Sequence, residues 1–237
     1  MENNSKEEQQ GSPEKHPKQD FQVERLAFFS DAVFAIAITL LVVEFKSPEI
    51  TNTTTYDNVV KQLFDLKYHF FAILLSFFVI TNFWTSHHKL FKYIHNYNTS
   101  IIVANMLALL PIIFFPFTTT FFAESLATIE GNIANPNVYL LGFKLFLINA
   151  FFAALASYIL YWFVIVKYKE LSFEMPKQEK IKITFDSYFS IFFIATMAIA
   201  LFATTNLFII ELVIYVAVFI RIIVWRKFVK SKKAAKV

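Results

Sequence analysis

The run from Leu26 to Val43, LAFFSDAVFAIAITLLVV, contains a single charged residue, Asp31. At about 1.5 Å of rise per helical residue, a run of this length matches the roughly 30 Å hydrocarbon core of a bilayer. Glu24 and Arg25 bracket it at one end, Glu44 and Lys46 at the other. An acid at membrane depth is costly, so it implies either a buried partner or a function. The rest of the chain is consistent with a membrane solvent. Of 237 residues, 57% are hydrophobic and only 17% charged, and 31 are Phe. A soluble domain carries roughly 25% charged residues.

The hydrophobic blocks predict an all-α polytopic membrane protein with six transmembrane helices, at about 25–45, 67–90, 99–122, 138–166, 183–203 and 207–228. The last two come from one long block, broken at Thr204-Thr205-Asn206. Residues 1–20 read as a disordered polar tail and 229–237 as a basic tail, around a six-helix domain at 21–228. The first apolar run starts too late and is too long for a signal peptide. Residues 46–66, 123–137 and 167–182 read as loops, and Pro111 and Pro116 are expected to kink the third span.

Orientation follows from the 22 Lys and Arg. Lys6, Lys15, Lys18 and Arg25 precede the first span, Lys89 and Lys92 link the second and third, and five lysines lie between Lys167 and Lys182. The C-terminal end from Arg221 is the most basic segment, whereas the opposite side holds only Lys46, Lys61 and Lys67. Positive residues stay inside, so both termini are expected to be cytoplasmic. The modest net charge of +4 therefore reads as topology, and no nucleic-acid partner is expected.

With orientation set, depth can be counted. Asp31 lies about 9 Å inside Arg25. Asn82, Trp84, Ser86, His87 and His88 of the second span, and Asn105 of the third, fall near the same level. One reading is a buried polar knot in which Arg25, Ser30, Asp31 and a histidine satisfy one another. The other is that Asp31 or His87 titrates and gates. His87 and His88 point to different helix faces, which disfavours a metal site. On the outer side, Lys144 and Glu211 sit at equal depth and form a possible ion pair, although Lys144 can instead snorkel.

At about 100° per residue, Phe29, Ala32, Ile36, Thr39, Leu40 and Val43 share one stripe of the first helix, and Asp31 points about 140° away from Ile36. By spacing alone the stripe is an ordinary helix–helix seam. There is no phosphate loop and no nucleophile–base pair, so no catalytic residue is assigned. With no Cys, thiolate metal sites and disulfides are excluded, and with three Gly a carbonyl-lined potassium filter cannot be built.

Arg25-x-x-x-Phe29-Ser30-Asp31, continuing as AVFAIAITLLVVEF, resembles the first-helix signature of the transmembrane protein 175 family, the lysosomal-type potassium channels and their bacterial relatives. Trp84-x-x-His87-His88 is similar as well. The resemblance covers roughly 21–228 and is sharpest in the first two spans. It implies a single-repeat bacterial form, a homotetramer in the cell membrane with four copies of the first helix around a pore for monovalent cations. In this reading Ile36, Thr39, Leu40 and Val43 line an apolar constriction. Arg25, Phe29, Ser30, Asp31, Trp84, His87 and His88 form the structural and gating network behind it. The bilayer and permeant K+ are the expected partners, with no cofactor or metal. Glu44 and Glu49 would concentrate cations at the outer mouth. The rivals are a proton-coupled secondary transporter using Asp31 and His87, disfavoured because the first helix has no Gly or Pro break, and a membrane enzyme using His87, His88 and His95, which lacks a carboxylate at ligand spacing.

Overall fold

The computed structural model describes residues 17–43, 54–128 and 136–203, with a few isolated positions outside these stretches. Among the described residues six α-helices follow in order: α1 (Pro17–Val43), α2 (Tyr56–Asp65), α3 (Lys67–Phe91), α4 (Thr99–Ala127), α5 (Pro136–Trp162) and α6 (Lys177–Ala203). Five helical stretches are long and apolar enough to cross a membrane among the described residues. The chain is an all-α, multi-pass membrane protein. The sixth expected span, 207–228, lies outside the described residues except at four isolated helical positions. The Thr204–Asn206 break and the tails at 1–16 and 229–237 also lie outside them.

Several expected boundaries shift, including the start of α6, which lies at Lys177 inside the stretch expected as a loop. Helix α1 begins at Pro17, within the stretch read as a disordered tail, because proline is well tolerated in a first helical turn. The expected loop at 46–66 contains α2. Tyr56, Val59, Val60, Leu63 and Phe64 fall on one face of that helix and Asp57, Asn58, Lys61, Gln62 and Asp65 on the other, a helical period that a charge-dominated reading passes over. The third span extends to Ala127 and runs through Pro111 and Pro116 as one helix. Asn149 of α5 donates to the Pro111 carbonyl at 3.0 Å, and the hydroxyls of Thr118, Thr119 and Thr120 bond back to carbonyls of the preceding turn. These side chains serve backbone groups that no water reaches in a bilayer.

Helix α4 is the centre of the bundle, packing against α1, α3 and α5, while α6 packs on α5. Between helices in lipid there is no hydrophobic driving force, so close packing of small residues and interhelical hydrogen bonds hold the bundle. Ala72, Ala104, Ala108, Ala123, Ala150, Ala153 and Ala154 are all buried at the seams. Ser76 of α3 and Thr119 of α4 share a buried hydrogen bond of 2.6 Å. A close approach occurs at Gly142 of α5, where a Cβ would stand 2.6 Å from Ser125 Cβ on α4 and closer still to its Oγ.

The two basic links at one end of the bundle are stitched together. Ile94 and Ser172 form an isolated antiparallel bridge, Phe173 N–H donates to the Tyr93 carbonyl at 2.7 Å, and His95 N–H donates to the Leu171 carbonyl at 3.1 Å. The Tyr93 hydroxyl donates to Glu179 at the start of α6, which pushes the phenol above its ordinary pKa. Asn98 caps α4 by accepting from Ile101 N–H at 3.0 Å. On the other side Lys144 has its ammonium 5.0 Å from the Phe202 ring centre. Its expected partner Glu211 lies outside the described residues.

Gly142→Ala is expected to lower stability by about 1–3 kcal/mol through overpacking. Thermal melting of the detergent-solubilised protein measures this. Adding Ser125→Ala should recover part of the loss, because the nearest obstructing atom is removed. A Gly142→Ala variant that melts like the wild type would mean that α4 and α5 do not approach this closely.

Candidate functional site: the first helix and the polar layer behind it

The two faces of α1 differ in burial. Ser30, Phe34, Ala37 and Leu41 are buried against α3 and α4. Phe29, Ala32, Ile36, Thr39, Leu40 and Val43 are all exposed on the opposite side of the single chain, Ile36 by 58% and Val43 by 72%. The stripe identified by spacing is therefore the face of α1 that the chain's own core does not cover. Among the described residues no other helix of this chain packs on it. Thr39 donates its hydroxyl proton to the Ile36 carbonyl at 2.9 Å, so the lone pairs of its oxygen stay available on the exposed side.

Behind the stripe, three helices meet through one asparagine. Asn105 of α4 is fully buried. Its Oδ1 accepts from His87 Nε2 of α3 at 2.7 Å, and its Nδ2 donates to Ser30 Oγ of α1 at 3.0 Å. Ser30 in turn donates to the Leu26 carbonyl at 2.9 Å. The bonds run in one direction: ring N–H to amide oxygen, amide N–H to hydroxyl oxygen, hydroxyl to backbone. The His87 ring is stacked on Phe91 at 4.4 Å and tilted against Phe34 at 5.4 Å. The layer sits where two apolar clusters meet. On α1, Ser30 lies between Val23 and Phe34; on α3, His87 lies between Phe83 and Leu90.

The expected knot of Arg25, Ser30, Asp31 and a histidine is thus divided differently. Asp31 is half-buried, and its carboxylate accepts from Trp84 Nε1 at 2.8 Å, a second α1–α3 bond beside the asparagine relay. The reason is rotational: Ser30 and Asp31 are neighbours in sequence, so about 100° of helix separates them, and they face different groups. Trp84 also lies 5.6 Å from the ring of His88, which is exposed, while His87 is buried. Arg25 is exposed and lines a shallow surface cavity with Gln22, Leu26, Phe29, Tyr97 and Met106. Glu44 and Glu49 lie outside the described residues. Sequence reasoning placed Asn105 at the right depth but did not single it out. The available signal was an amide isolated within IIVANMLALL, too polar for a lipid-facing turn.

The family model described as endosomal/lysosomal potassium channel TMEM175 matches residues 25–116, the stretch from Arg25 through the asparagine relay. Over this stretch the chain is similar to the TMEM175 family. The potassium channel Cha6605_3372 of Chamaesiphon minutus is 37% identical over 110 residues, 46% of this chain and 54% of that protein. The chain thus spans about half the length of that TMEM175 relative. Human endosomal/lysosomal proton channel TMEM175 is 26% identical over 95 residues, 40% of this chain and 18% of that protein. The fold is that of the crystal structure of a lysosomal potassium-selective channel TMEM175 homologue from Chamaesiphon minutus. The TM-score is 0.62 at 23% identity, over 85% of this chain and 97% of that one.

Asn105→Leu is expected to lower stability by about 1–3 kcal/mol, because the His87 N–H loses its acceptor in a buried place. Asp31→Asn should cost less, since an amide oxygen still accepts from Trp84. Melting temperatures of the two variants check the order. A larger loss for Asp31→Asn would make the acid, and not the asparagine, the anchor of the layer.

Proposed function

We propose that the chain forms a potassium-permeable cation channel, a homotetramer in the cell membrane with both termini cytoplasmic and four copies of α1 around the pore. The observation that carries this reading is the uncovered stripe of α1. Ile36, Leu40 and Val43 are exposed on one face of a membrane-spanning helix whose other face is packed. A stripe that includes a hydroxyl, backed by a buried polar relay that fixes its rotation, suits a pore wall better than a lipid contact. The potassium-channel relatives support the choice of ion.

In this reading four Ile36 side chains form a dry neck that opens by wetting. Thr39 follows about 4.5 Å along the axis. Its oxygen, with the proton engaged on the Ile36 carbonyl, replaces part of a cation's water. Potassium releases water more readily than sodium, so it enters an apolar neck at lower cost, and selection is modest beside that of a carbonyl filter. A proton relay through Asp31 and His87 is not supported by their hydrogen bonds. Their bonds go to different partners, Trp84 and Asn105.

Recording from the purified protein in planar bilayers tests this. Unitary current steps with a K+-biased reversal potential are expected. Ile36→Asn should raise conductance and Ile36→Phe reduce it, while Thr39→Val should shift reversal toward sodium with current retained. In a cysteine-free chain, Ile36→Cys and Leu40→Cys should react with a water-soluble thiol reagent and Asp31→Cys should not. Reaction at 31 alone would put the wrong face of α1 at the pore, and slow coupled flux without unitary steps would favour a carrier.

A further inference from the structure

At the end of the bundle that carries the basic links, a cavity of about 330 Å³ opens between the start of α4 and the end of α5. Its mouth and its depth differ in chemistry. At the end of the spans its lining includes the hydroxyl residues Thr99 and Ser100 and the basic residue Lys167. Deeper along the spans the lining is Val103, Leu107 and Ile159. From Ser100 to Leu107 the groove runs about 10 Å by helix rise, from the edge of the span into its apolar part.

Lys167 is the last residue of a π-helical turn, Phe163–Lys167, which ends the α5 span. Its ammonium stands 4.8 Å from the Phe163 ring centre, 5.3 Å from that of Tyr168 and 5.9 Å from that of Trp162. Three rings around one cation hold it at the level of the aromatic belt, where a lysine on a plain helix end would reach away into water. Tyr168 is tied to α4 by a 3.1 Å hydrogen bond to Ser100 Oγ, so the turn and the mouth hydroxyls are held together. Lys169 adds further positive charge two residues on. A charged, hydroxyl-bearing mouth over an apolar slot has the polarity of a phospholipid, and basic pockets between spans on the positive side suit anionic headgroups.

We propose that this groove binds an anionic glycerophospholipid of the cytoplasmic leaflet. Its phosphate sits at Lys167, Thr99 and Ser100, and an acyl chain lies along Val103, Leu107 and Ile159. The site is separate from the proposed pore stripe, and its test does not depend on ion conduction.

Native mass spectrometry of the full chain in detergent, with phosphatidylglycerol or phosphatidylcholine added at equal concentration, reads the preference. The wild type should retain phosphatidylglycerol about fivefold better, the effect of roughly one lysine at a membrane surface. Lys167→Gln should bring the two lipids close to parity, and Lys167→Arg should keep the preference. Val103→Trp, which fills the apolar slot from an exposed position, should reduce retention of both. An unchanged preference in Lys167→Gln overturns the proposal. So does displacement of phosphatidylglycerol by inorganic phosphate alone, which would make the site an anion site without a tail. A wild type that retains neither lipid, as when a second copy closes the groove, overturns it as well. If Lys167→Gln fails to assemble, Val103→Trp decides, and wild-type retention of phosphatidylglycerol in that variant counts against the groove.

Discussion

Asn105 carries more of this architecture than any other single side chain. In an apolar solvent a buried polar group has no water to fall back on, so its partners dictate geometry. By accepting from His87 and donating to Ser30, Asn105 fixes α3 and α1 against α4 at one depth. The directionality of the three bonds also fixes the rotation of α1, because Ser30 must face inward. Once Ser30 is inward, Phe34, Ala37 and Leu41 follow on the same side, and Ile36, Thr39, Leu40 and Val43 are left outside. The identity of the uncovered face is thus a consequence of the polar layer.

The remaining contacts divide into two kinds. Within the bundle, small residues allow the backbones to approach, as at Gly142 against Ser125. At the basic end, backbone bonds between the 92–98 and 168–176 links tie the two cytoplasmic-looking connections into one unit. On the opposite side His69 of α3 lies 3.4 Å from Glu124 of α4. That pair joins the same two helices by a longer contact, so the firmer polar anchoring of this bundle lies at its basic end.

The sequence by itself settled the solvent, the helical class and the depth of the polar groups. These depend on local quantities: length of apolar runs, charge placement and rise per residue. It also separated the stripe of α1 from Asp31, since a helix has a fixed angular period. It missed α2, whose short amphipathic pattern was hidden among the threonines and charges of 46–66, and it began α1 too late. Partner choice was beyond it. Asp31 pairs with Trp84, and His87 with Asn105, because interhelical register decides which side chains meet, and no single helix encodes its neighbour's rotation. Whether a spacing stripe is a buried seam or an open face is likewise a property of the packed bundle, fixed only when α3 and α4 cover one side of α1 and leave the other bare.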